Sequence, residues 1–263
     1  MARLIEHTTG DLYGSIWNQL SPEAFEELSE LHWNKFVAAG FGGDFLKGKK
    51  CLDAGCGSGR AVRSMLKSGA FYVEAIDIGD DCVANTRHRN IEDAPRLNVT
   101  QGSVLELPYP DNSFDFVHCD GVLHHTTDPV KGFLELKRVA KPGAPIFFGL
   151  YGAGGLLNLG IYSARYFNRL IPRKLALEAL RLFTNDPIKH YVFLDPFYVP
   201  IREKYRPADI EALAKNASLV GLRRVPFIAG YKGFWDRVLK DYSSLPSWFS
   251  GEGYLMYVAQ KPK

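Results

Sequence analysis

The chain has 263 residues, 46% of them hydrophobic and 23% charged, which excludes a disordered, collagen-like or heptad-dominated protein. At a typical ~150 residues per domain, the length fits one enlarged domain or two small ones. Lys and Arg number 32 against 29 Asp and Glu, and a net charge of +3 excludes a phosphate-binding surface spread over the whole chain.

The first residues, Met-Ala-Arg-Leu-Ile-Glu-His, lack the apolar core of a secretory signal, so a cytoplasmic chain with reduced thiols is expected. Residues 1–40 are expected to form an N-terminal helical cap. Within it the spacing predicts a helix over 22–39, with Ser21 as its cap, Pro22 in the first turn, and Phe25, Leu28, Leu31 and Phe36 near one face. After Gly40 short apolar runs alternate with helical stretches. Strands are predicted at 50–53, 72–78, 98–101, 114–119 and 145–150, and helices at 59–68, 81–90 and 129–140, the pattern of a parallel sheet covered on both faces. The four cysteines, Cys51, Cys56, Cys82 and Cys119, form no Cys-x-x-Cys pair and no Cys/His cluster at zinc spacing, so no metal is expected.

The alternation then stops. Residues 142–164 carry no charge and are long enough to cross a bilayer, which takes ~20 residues. Their many glycines and Asn158 speak against one continuous helix, and a soluble chain is expected. Residues 151–206 hold nine Lys or Arg against four Asp or Glu, more than the whole basic excess. A helix at 207–217 and strands at 219–227 and 252–260 complete the pattern. The stretch 230–251 is rich in aromatics: Tyr231, Phe234, Trp235, Tyr242, Trp248 and Phe249.

The segment Asp53-Ala54-Gly55-Cys56-Gly57-Ser58-Gly59-Arg60 follows the first strand and opens a helix, where glycines let the backbone approach a ligand closely. A dinucleotide fold requires G-x-G-x-x-G, and Arg60 stands at its third glycine. Shifting the frame puts Val62 there, so the nicotinamide reading fails at a position where bulk obstructs helix packing, and a dehydrogenase stays only a remote alternative. An acid two places before three alternating glycines instead resembles the class I S-adenosylmethionine-dependent methyltransferases, in particular the small-molecule group of ubiquinone and sterol methyltransferases. The segments 112–125 and 133–143 are similar to that family's fourth-strand region and following helix, with Ala144 in place of a second glycine. The resemblance covers 40–150 well and 207–260 in outline.

That resemblance implies an α/β, Rossmann-like seven-stranded sheet with its last strand antiparallel. The whole chain, 1–263, would be one domain, with 151–206 as a helical lid inserted after the fifth strand. It implies S-adenosylmethionine as cofactor, its amino-acid end held by Gly55, Gly57, Gly59 and Asp53. Asp77, 18 residues beyond Gly59, would take the ribose diol, and Ile78 would pack on adenine. Ser103 stands where the family has an Asp for the adenine amino group, which leaves the Val104 backbone to read the ring. Asp120 would contact the methionine portion or the acceptor, or serve only as a turn residue.

The expected reaction is methyl transfer to a small organic acceptor, hydrophobic or aromatic, and most simply O-methylation. Such a reaction calls for a base when the acceptor keeps its proton. His125, and beside it His124, sit where a base could reach, and His125 is equally consistent with orienting its loop. C- or N-methylation of a lipid-like or natural-product acceptor, and binding of S-adenosylmethionine without catalysis, are the alternatives. Tyr13 and Trp17 fall where related enzymes close over cofactor and acceptor. The segment Cys119-Asp120-Gly121-Val122 lacks the Asn/Asp-Pro-Pro-aromatic pattern of nucleic-acid base methylation, so no nucleic-acid partner is expected. The lid at 151–206 can be a plain cover, a site for an anionic acceptor, or a peripheral membrane contact. Oligomeric state stays open.

Overall fold

The computed structural model describes residues 2–168, 170–185, 190, 194, 197–226 and 252–263. The aromatic-rich stretch 230–251 lies outside the described residues. Seven strands form one sheet: β1 (Lys50–Ala54), β2 (Tyr72–Asp77), β3 (Leu97–Gln101), β4 (Phe116–Asp120), β5 (Pro145–Tyr151), β6 (Val220–Val225) and β7 (Tyr254–Gln260). Their order is β3-β2-β1-β4-β5-β7-β6. The first five run parallel, and β7 lies antiparallel between β5 and β6. This is the predicted sheet, and each predicted strand falls within two residues of an observed end where the chain is described.

The helices are α1 (Ala2–Trp17), α2 (Pro22–Ala38), α3 (Arg60–Lys67), α4 (Asp80–Arg89), α5 (Pro129–Val139), α6 (Leu156–Asn168), α7 (Arg173–Arg181) and α8 (Pro207–Asn216). Ser21 caps α2 as its sequence suggests, accepting from the Ala24 amide at 3.2 Å, with Pro22 at the first helical position. Asp128 and Pro129 start α5 in the same way.

Alternation along the strands divides the core in two. Leu52, Val117, Cys119, Ile146 and Phe148 face α5 and α8, whereas Cys51, Val73, Phe116 and Phe147 face α2 and α3. Both faces are covered, so β4 and β5 read as nearly unbroken apolar runs. The switch in strand order between β1 and β4 opens a crevice at the carboxyl ends of the strands, where such sheets bind ligands.

Helix α1 runs across the β2–α4 turn with no room to spare. A Cβ on Gly10 would lie 2.8 Å from the Gly79 nitrogen, and one on Gly14 would lie 2.6 Å from the Asp81 Cβ. Two glycines inside a helix cost it stability, and close approach is what they provide here. The charge-free stretch 142–164 is divided between β5 and α6 by the turn at 152–155, and among the described residues no helix is long and apolar enough to cross a membrane.

Candidate active site

The loop after β1 turns through three left-handed glycines, Gly55 (φ +88°), Gly57 (φ +55°) and Gly59 (φ +81°), which a side chain would strain. Asp77, at the end of β2, binds this loop to the next turn: its carboxylate accepts from the Gly57 amide at 2.8 Å and the Gly79 amide at 2.9 Å. Burial raises its pKa, and the two amides pull it back toward the ionised form. A carboxylate has about four acceptor sites, so Asp77 retains capacity for a ribose hydroxyl. Trp17 lies against Gly57, and the Arg60 guanidinium stacks on its indole at 4.0 Å.

Ser103 is turned inward. Its oxygen accepts from the Leu105 amide at 3.2 Å, and its hydroxyl donates to Glu6 on α1 at 3.3 Å. The other Glu6 oxygen accepts from the Thr127 hydroxyl at 2.7 Å and the Thr127 amide at 3.1 Å. Glu6, 6% exposed, is a site residue that sequence reasoning missed, because nothing in its local pattern joins it to residues 97 and 121 positions away. Val104 is buried beside it, and Ile78 touches α1 at Gly10.

Tyr13 and His125 meet across the crevice mouth. The His125 Nδ1 lies 2.7 Å from the Ile201 carbonyl, which only accepts, so Nδ1 carries the proton and Nε2 presents a lone pair. The Tyr13 hydroxyl donates to that Nε2 at 2.7 Å. His124 is different. It is fully buried, its ring is 4.0 Å from that of Tyr151, and neither ring nitrogen has a hydrogen-bond partner among the described residues. Burial, reinforced by His125 and Arg202, pushes its pKa well below the usual 6.5 and keeps it neutral.

Asp53 and Asp120 belong to a separate polar group under the sheet, facing α2. Asp53 on β1 is in register with His118 on β4, and His118 Nδ1 lies 2.7 Å from Asp53 Oδ1. Asp120 accepts from Lys35 Nζ and from the Tyr254 hydroxyl, each at 2.6 Å. Burial alone would raise its pKa, yet Lys35 and the neighbouring imidazoles hold it far below the usual carboxylate range. Both Asp120 oxygens are thus engaged by protein groups. Asp53 Oδ2 and Ser58 Oγ, beside the glycine loop, are buried with no hydrogen-bond partner among the described residues. A ligand with an ammonium and a carboxylate would satisfy both.

Glu135 and Arg138 form an ion pair at 2.7 Å, and Cys119 is a buried strand thiol whose pKa burial pushes well above 9.0.

Residues 52–148 match the family described as a methyltransferase domain. The sheet of this chain has the fold of the class I S-adenosylmethionine-dependent methyltransferases. The ubiquinone biosynthesis O-methyltransferase of Hahella chejuensis is 35% identical over 130 residues, 49% of this chain and 54% of that relative. The enzyme of the same name from Sodalis glossinidius is 29% identical over 170 residues, covering 61% and 68%. The chain spans about half the length of most of the curated relatives it matches, such as the Hahella enzyme at 54%. Among solved structures, one chain of the complex between the Haloferax volcanii Trm112 activator and a methyltransferase matches at TM-score 0.62 and 16% identity, over 96% of this chain and 99% of that one. Haemonchus contortus phosphoethanolamine N-methyltransferase 2 with S-adenosyl-L-methionine matches at 0.59 and 17%, over 93% and 58%. At these identities the structural matches establish the fold. The glycine loop, Asp77, Asp53 and Ser58 carry the chemistry that would fit S-adenosylmethionine.

Proposed function

We propose that this methyltransferase transfers a methyl group from S-adenosylmethionine to a hydroxyl of a small hydrophobic or aromatic acceptor. The observation that carries the reading is the Tyr13–His125 hydrogen bond, with the His125 tautomer held by the Ile201 carbonyl. Bound S-adenosylmethionine supplies an already activated sulfonium methyl, so the chain's residues have to align the acceptor, exclude water and remove one proton. An acceptor hydroxyl bonded to the Tyr13 oxygen loses its proton as Tyr13 passes its own to His125 Nε2, and the oxygen takes the methyl. The resulting imidazolium is held by its Nδ1–H bond to Ile201. Helix α1 brings Tyr13 and Trp17 over the crevice, and Glu6 anchors that helix on Thr127. The relatives' name, ubiquinone biosynthesis O-methyltransferase, supports oxygen as the acceptor atom.

The lid supports a hydrophobic acceptor. On α6, α7 and the turns beside them Tyr166, Phe167, Leu170, Leu182 and Phe183 are each more than 65% exposed, among Lys174, Arg181 and the half-buried Arg165 and Arg173. Apolar side chains mixed with cations suit acceptor capture at an anionic lipid surface. The test is a methylation assay on phenolic and catecholic acceptors. His125→Gln and Tyr13→Phe should lower turnover while S-adenosylhomocysteine affinity stays within a few-fold. Turnover unchanged in both variants overturns the assignment.

A further inference from the structure

The buried polar group beneath the crevice contains more donors and acceptors than its internal bonds use. We propose that His32 on α2 and His118 and Asp120 on β4 form a binding site for one divalent transition-metal ion. One ligand atom from each of the three lies within 4.8 Å of the others. His32 Nδ1 and His118 Nε2 are buried with no hydrogen-bond partner among the described residues, and leaving such atoms unmatched is costly.

The tautomers suit a metal. The Asp53 carboxylate accepts from His118 Nδ1, which leaves Nε2 with its lone pair outward, the carboxylate–histidine–metal arrangement that orients a ligating imidazole. The His118 ring is clamped, stacked on Phe147 at 5.4 Å and met edge-on by Phe36 at 5.4 Å, so its direction is set before any ion arrives. Tyr254 fixes the Asp120 carboxylate through its second oxygen.

Distances and charge agree. Tetrahedral ligands at 2.0–2.2 Å stand about 3.4 Å apart. His32 Nδ1 and Asp120 Oδ2 are 3.9 Å apart, within reach of a small side-chain movement. Asp53 and Asp120 bring two negative charges, and Lys35 Nζ lies 2.6 Å from Asp120. A dication that displaced Lys35 from Asp120 would leave this buried group neutral. Two imidazoles and one carboxylate are ligands of first-row ions such as Zn²⁺, Co²⁺ or Fe²⁺, and three protein ligands leave a position open. No spacing motif announces this site, because His32 joins the other two only through the packing of α2 on β4. The expectation of no metal was drawn from cysteine spacing, and no cysteine takes part.

The test uses the full chain stripped with EDTA and titrated with Co²⁺ in the absence of S-adenosylmethionine, followed by visible d–d absorption. One ion per chain is expected, displaceable by Zn²⁺, with paramagnetically shifted ring protons from two histidines. His118→Gln and His32→Gln should abolish the absorption, and Asp53→Asn should weaken binding by about 10–100-fold. Lys35→Met should tighten it, since it removes the competing ammonium. No uptake of Co²⁺ by the native chain at millimolar concentration overturns the proposal, as does uptake without shifted histidine signals or uptake that survives both histidine substitutions. The native-chain titration reads the site without relying on any variant to fold, and its outcome is independent of methyl transfer.

Discussion

The Glu6 carboxylate on α1 and the hydroxyl of Thr127, just before α5, are joined by a 2.7 Å hydrogen bond that spans the mouth of the crevice. Thr127 donates its amide to the same oxygen, and Ser103 donates to the other. One acid thus ties the first helix of the chain to the loops after β3 and β4. Hydrogen bonds to a charged group are worth about 1.5–3 kcal/mol. Glu6→Ala is expected to cut amide-exchange protection across α1 by at least about tenfold while β1 and β4 keep theirs. Unchanged protection in α1 would show that apolar packing alone docks the helix.

Gly14→Ala tests the close approach of α1 in a way that separates propensity from fit. Alanine should stabilise a helix interior by about 0.5–1 kcal/mol relative to glycine. Here its Cβ would meet the Asp81 Cβ at 2.6 Å, so the net effect is expected to be destabilising, with weaker S-adenosylhomocysteine binding. A variant more stable than the parent in urea titration would refute the packing argument.

Removing the Tyr13–His125 pair should act on the chemical step. General-base catalysis contributes about 10²–10⁴-fold, and losses of that size in turnover are expected for His125→Gln. Tyr13→Phe should behave alike, and the double variant should lose little more than His125→Gln alone if the two act as a unit. Losses that multiply would show independent roles.

Stability should fall in mild acid. His124 and His32 are held neutral when folded, their pKa values depressed well below 6.5, and both regain an ordinary pKa on unfolding. The unfolded chain then binds more protons below about pH 6.5, so the folded state is favoured fully above that pH and loses up to ~1.4 kcal/mol per pH unit per imidazole below it. Melting midpoints measured downward from about pH 8 should decline below about 6.5, and His124→Phe should flatten the decline. An equal slope in that variant would assign the effect to other groups.

Period and turn chemistry were enough to read the sheet, because β4 and β5 are buried on both faces and the glycine loop can only follow a strand and open a helix. Asp77 was legible for the same reason: its place depends on the length of one β-α-β unit. Long-range packing decided the rest. Helix α1 has a weak apolar pattern interrupted by Gly10 and Gly14, and those glycines make sense only against Gly79 and Asp81. Glu6 meets Ser103 and Thr127, and Tyr13 meets His125, through the docking of that helix. His124 and His125 are chain neighbours with the same side chain, yet one is sealed against Tyr151 and the other is bonded to Ile201 and Tyr13. Asp120 and His118 lie two residues apart on one strand face, and α2 supplies the His32 and Lys35 that set their electrostatics. Local sequence determines which residues can turn, pair or alternate, whereas a buried charge takes its role from neighbours that only the folded chain brings to it.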